Sequence, residues 1–172
     1  MLYVSSGKGG SDILALPLTG EAKPIPVVET DFSEGQAQFS PDSRWIVYRS
    51  NESGQNQVYV RPFPPAAGGG QWMVSKDGGV QPRWSRDGRE IFFIGPDGKL
   101  MAVDVNTAGS TLRSGIPQAL FDTQIYGGFG VVGPVRWDVA PDGKRFLVIS
   151  NVSTGTSSPI TVVVNWPELL RK

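Results

Sequence analysis

A shift of 45 residues lays the first half of this chain on the second without a gap. Tyr3 falls on Tyr48, Ser5 on Ser50, Gly9 on Gly54 and Pro17 on Pro62. Gln36 likewise falls on Gln81, Ser40 on Ser85, Asp42 on Asp87, Arg44 on Arg89 and Ile46 on Ile91. A further shift of 55 carries Asp87 to Asp142, Gly88 to Gly143 and Ile94 to Ile149; its additional residues fall between Phe121 and Val135, in the run YGGFGVVGP. A unit of this length buries its apolar surface against its neighbours, so the period constrains the fold more than any single segment does.

Each unit divides into strand-sized pieces. In the second they are residues 36–40, 45–50, 57–63 and 71–75, and in the third 81–85, 90–94, 100–105 and 118–121. The first offers 2–5, 12–18 and 25–28 with no inner strand, and the fourth 135–140, 145–150 and 160–165 with no outer one. Aromatic and β-branched residues in these pieces suit a pleated, packed surface. The phrases AQFSPDSRWIVY, PRWSRDGREIFF and DVAPDGKRFLVI each join two strands through a tight turn. There Asp42, Asp87 and Asp142 bond local backbone, while Gly88 and Gly143 take the left-handed corner that Ser43 fills in the second unit. With 22 glycines and 14 prolines in 172 residues, the chain favours short strands and turns, and no window carries a helical period. The expected fold is all-β: a single partial β-propeller, two complete four-stranded antiparallel blades flanked by two incomplete ones, in units of approximately 1–35, 36–80, 81–134 and 135–172. Uncovered blade edges are pairing hazards, so self-association or a partner that completes the propeller is expected.

Composition removes many chemistries. The chain has no histidine and no cysteine, which excludes Ser-His-Asp and Cys-His dyads, imidazole and thiolate metal sites, and disulfides. Sixteen basic residues balance sixteen acidic ones and lie scattered, so no basic stripe for nucleic acid is present. No apolar run approaches a membrane span, and the start MLYVSSGKGG has no signal-peptide pattern.

The phrases LYVSSGKGGSDILALPL, FSPDSRWIVYRSNESGQNQVYVRPFP, PRWSRDGREIFFIGPDGKLMAVDV and VAPDGKRFLVI resemble TolB-like (WD-like) β-propeller repeats. More narrowly, they resemble the C-terminal propeller of bacterial serine/threonine protein kinases. The resemblance implies an extracytoplasmic or regulatory propeller tethered to a kinase, although kinase motifs and a membrane helix are absent from these residues. It implies a periplasmic setting, whereas the chain expressed alone would be cytoplasmic.

Other motifs read as structure. Gly128-Phe129-Gly130-Val131-Val132-Gly133 matches G-x-G-x-x-G, but Pro134 follows where a phosphate-binding helix would start. Ser6-Gly7-Lys8-Gly9-Gly10-Ser11 lacks the G-K-[ST] order and aligns with the hairpin Asn51-Glu52-Ser53-Gly54-Gln55-Asn56. The repeated aspartates are fanned round the wheel, too far apart for paired-carboxylate catalysis. Trp45, Trp84, Trp137 and Trp166 read as fillers between blades, while Trp72, without an aromatic equivalent, reads as exposed.

In an up-and-down blade the Asp turns occupy one end. The hairpins 50–56, 95–98 and 150–158 share the other with the crossovers 29–35, 75–80 and 123–134. Variable loops on a rigid scaffold are where binding lives, which selects Asn51, Glu52, Gln55, Lys76, Asp77, Tyr126 and Phe129 as candidate binding residues. The expected function is a non-catalytic binding or scaffold module with no cofactor and no metal, taking a protein or peptide partner, as in the sensor portion of a kinase. The alternatives are the accessory gating propeller of a prolyl-oligopeptidase-type hydrolase or a periplasmic TolB-like interaction protein.

Overall fold

The structure, a computed structural model, describes residues 1–65, 69–109, 111–125 and 133–150, and the backbone of 160–163. Its regular structure there is entirely β, arranged in four antiparallel sheets. The first holds β1 (Leu2–Ser6), β2 (Ser11–Ala15) and β3 (Ile25–Val28); the second β4 (Glu34–Phe39), β5 (Trp45–Ser50), β6 (Gln57–Pro62) and β7 (Trp72–Met73). The third holds β8 (Val80–Trp84), β9 (Glu90–Ile94) and β10 (Lys99–Asn106), whose outer edge pairs with both β11 (Arg113–Ser114) and β12 (Gln118–Asp122). The fourth holds β13 (Trp137–Val139), β14 (Phe146–Ile149) and β15 (Ile160–Val163). The third sheet thus carries one short pairing, β10 with β11, beyond the four-strand expectation. No helix among the described residues is long and apolar enough to cross a membrane.

Alternation along the strands assembles the arc. Trp45 and Val47 of β5 pack with Ile91 and Phe93 of β9, whereas the intervening Ile46 and Tyr48 pack with Ile13 and Val27 of the first sheet. Phe92 and Ile94 of β9 face the opposite way, onto Trp137, Phe146 and Val148. The two middle sheets are therefore buried on both faces, which is why their central strands are almost wholly apolar. Each such Phe or Ile contributes roughly 1.5–3 kcal/mol by burial. Among the described residues none of the three core clusters joins the first sheet to the fourth, and Leu147 and Ile149 are 51% and 57% exposed on β14.

Trp45, Trp84 and Trp137 are buried fillers. Trp72 corrects the expectation of exposure: it is half-buried, edge-on to Trp45 with ring centroids 5.6 Å apart. Trp166 lies outside the described residues.

The sheets are also stitched at the centre. Gln36 and Gln81, equivalent by the 45-residue shift, both adopt left-handed backbone, φ 56° and 55°, at irregularities in β4 and β8. Gln36 Oε1 accepts from the Gln81 N–H at 2.8 Å, and Gln81 Oε1 accepts from the Arg136 N–H at 2.8 Å. Gln38 Oε1 accepts from the Trp84 N–H at 2.8 Å. Each inner strand so hands an acceptor to the backbone of the next.

Candidate functional site

One end of the arc is built from the Asp turns. Ser40 donates its hydroxyl to Asp42 Oδ1 at 2.6 Å and accepts from the Trp45 N–H at 3.0 Å. Arg44 adds its N–H to Asp42 Oδ1 and its Nε to Oδ2, at 3.1 and 2.8 Å. These donors, Ser40 foremost, pull the Asp42 carboxyl down to about 2. Asp87 repeats the pattern with Ser85 and the Arg89 N–H at 2.7 and 3.1 Å and is lowered in turn, Ser85 foremost. Asp142 has Ala140 where the others have serine, and is lowered chiefly by the Lys144 N–H at 3.0 Å. Ser43, Gly88 and Gly143 hold the left-handed corner at φ 59°, 71° and 67°. The turn carboxylates are therefore engaged by their own loops. Hollows of about 240 and 340 Å³ at this end are lined largely by turn residues such as Pro41 and Pro141 and by β13 and β14.

The opposite end is where the repeats diverge. The crossover 29–33 from the first sheet to the second is gripped from both sides. Gly9 and Gly10 of the β1–β2 hairpin lie so close that a Cβ on Gly9 would sit 1.8 Å from the Asp31 carbonyl oxygen. This approach explains the glycine run SGKGGS without any phosphate. From the other side Asn51 Oδ1 accepts from the Ser33 N–H at 2.8 Å. Beneath, a buried polar cluster forms: Thr30 and Ser50 donate to Glu34 Oε1, both at 2.9 Å, and Arg49 donates to Asn56 and Ser33 at 2.9 and 3.3 Å. Burial lowers the Arg49 pKa while Glu34 opposes that shift. The equivalents of Glu34, Arg49 and Ser50 in the third unit are Gly79, Ile94 and Gly95, so this acid–arginine cluster has no counterpart beneath the second crossover.

Two clefts open at this end, each where one unit departs from its neighbour. The first, about 590 Å³, is lined by Ser6, Gly7, Lys8, Asp12, Glu29, Thr30 and Asp31. The second, about 310 Å³, lies between Lys76, Asp77 and Gly78 of the second crossover and the turn 95–97, over Phe93 and Met101. It exists because the β9–β10 turn, residues 95–98, is shorter than the β5–β6 hairpin, residues 51–56, and leaves the crossover uncovered. Ile116, 80% exposed, forms its far wall.

The candidate binding residues separate accordingly. Asn51 and Glu52 are engaged internally, Asn51 with Ser33 and Glu52 with Gln71, which in turn accepts from Tyr48 at 2.7 Å. Burial pushes the Tyr48 hydroxyl's pKa up. Gln55 is exposed, and Lys76 and Asp77 are exposed on the rim of the second cleft. Tyr126 and Phe129 lie outside the described residues. Reading the sequence by loops missed Asp12, Phe93, Met101 and Ile116. The available signal for Asp12 was an acid in a strand where the next unit has Gln57.

No family model matches this chain. It is 28% identical over 131 residues to an uncharacterized protein of Agrobacterium fabrum, covering 71% of this chain and 43% of that one. Among solved structures it is similar to TolB from Acinetobacter baumannii, with TM-score 0.67 and 19% identity over 95% of this chain and 37% of that one. It is also similar to an oligogalacturonate lyase from Vibrio parahaemolyticus, with TM-score 0.51 and 14% identity over 86% and 35%. The chain thus spans well under half the length of these proteins. The fold is a β-propeller arc of the kind TolB contains.

Proposed function

We propose that this chain is a non-catalytic interaction module whose hairpin-and-crossover end receives a segment of a partner protein. The observation that carries the reading is the second cleft. Ile116 stands exposed beside Met101 and Phe93, with Lys76 and Asp77 of opposite charge on its rim. An apolar floor with a few polar groups at the edge is the anatomy of a peptide-sized contact. The repeat phrases also support an extracytoplasmic, kinase-associated setting, which an upstream gene sequence encoding neither a kinase nor a membrane helix would refute.

The test is selection of displayed random peptides on the immobilised chain, followed by fluorescence anisotropy with the enriched peptide. Ile116→Asp is expected to weaken binding by about tenfold or more, since it places a charge on a desolvated contact. Lys76→Glu should change the salt dependence, and the exposed control Arg113→Ala should change neither. Failure to enrich any peptide, or a peptide whose affinity ignores Ile116 and Lys76, overturns the reading.

A further inference from the structure

The first cleft differs from its repeat equivalent in a way that folding does not require. In the second unit Gln57 receives the Ser75 hydroxyl on Oε1 and donates Nε2 to the Lys76 carbonyl at 3.3 Å, closing the gap between strand and crossover. In the first unit Asp12 stands at the position of Gln57 and Thr30 at that of Ser75. Thr30 turns to Glu34, donating at 2.9 Å, and accepts from the Phe32 N–H at 3.0 Å. Asp12 is left in the cleft wall, only 8% exposed, with its Oδ1 buried and without a hydrogen-bond partner. A buried carboxylate oxygen lacking a donor is costly and is uncommon unless something supplies one.

The surroundings indicate what would do so. Glu29 and Asp31 add two carboxylates to the wall against the single cation of Lys8, and no ion pair joins Lys8 to Asp12. Among the described residues no three acidic groups converge as a metal ion would need, and the cleft has room for more than a bare ion. We propose that this cleft binds an organic cation, a guanidinium or ammonium group, whose N–H donors satisfy Asp12 while Glu29 and Asp31 raise its local concentration. A guanidinium is more weakly hydrated than an ammonium and is the better match to a carboxylate set this deep in a cleft wall. This site is independent of the Lys76 cleft and stands or falls without it.

Isothermal titration of the full chain tests the proposal with N-acetyl-arginine amide, N-acetyl-lysine amide, free putrescine and calcium chloride as probes. Saturable binding of arginine amide is expected, with Kd on the order of 1 mM for one such group, falling at least about tenfold in Asp12→Asn. The amino-acid amides outrank putrescine if the source is a peptide side chain, and the order reverses if it is a free polyamine. Because Asp12→Asn alone could disturb the fold, the paired variant Asp12→Gln/Thr30→Ser transplants the closure seen in the second unit. It should keep or raise Tm and bind none of the cations. Lys8→Ala should bind more tightly than the parent, since it removes the competing ammonium. Absence of saturable organic-cation binding in both the parent and Lys8→Ala overturns the proposal, as does equal binding by the paired variant, or calcium binding alone.

Discussion

Gln81→Ala is the sharpest perturbation of the arc. Gln81 is 1% exposed, and its Oε1 is the acceptor for the Arg136 N–H at 2.8 Å. Its own N–H and carbonyl, bonded to Gln36 and to Trp137 Nε1, survive truncation. The substitution therefore removes one acceptor from a part-buried backbone N–H, a loss of roughly 1–3 kcal/mol, and leaves alanine in left-handed backbone at φ 55°. Gln81→Gly loses the same hydrogen bond but relieves the left-handed conformation, so its loss should be smaller by about 1 kcal/mol. The assay is urea unfolding followed by tryptophan fluorescence, with midpoints compared at constant m. The exposed Gln118→Ala serves as control. Equal stability of Gln81→Ala and the control, within about 0.5 kcal/mol, would refute the claim that the glutamine rungs hold neighbouring sheets together.

Ser43→Gly should be neutral or stabilising by up to about 1 kcal/mol, because Ser43 occupies φ 59°; calorimetry checks this. Asp42 is held near 2 against an ordinary 3.8, so the unfolded chain takes up its proton first as the medium is acidified. Its stabilisation is complete above about pH 4 and is lost as pH falls toward about 2. Tm of Asp42→Asn should therefore decline less steeply than that of the parent across this window, although exposure of the Arg44 pair to water keeps the difference modest. The exposed Leu147 and Ile149 of β14 predict concentration-dependent association by light scattering, reduced in Leu147→Lys/Ile149→Lys; a monomer at every concentration would contradict it.

The propeller arc was legible because its first shift is long and gapless and its second differs only by an insertion before Val135: Asp42, Asp87 and Asp142 mark the same turn, and β5 and β9 carry apolar residues on both faces. What escaped depends on contacts between units. The coincidence of Gln36 with Gln81 was visible, but nothing local announces left-handed glutamine or a side chain reaching the next sheet, and Arg136 at the third equivalent position hides the series. Trp72 reads as exposed from the sequence because it has no aromatic counterpart in the first unit; Trp45 supplies the covering surface. Asp12 sits beside a glycine hairpin that carries no chemistry of its own. Its oddity emerges only when Gln57 is seen bonded and Asp12 is not.

In the proposed assignment the Asp-turn end is structural and the divergent hairpin-and-crossover end receives the partner. Hydrogen–deuterium exchange of the chain, with and without the selected peptide, separates the two ends. Added protection is expected at residues 76–78, 95–98 and 116–119, with none at 40–44 or 85–89. Protection confined to the turns would contradict it.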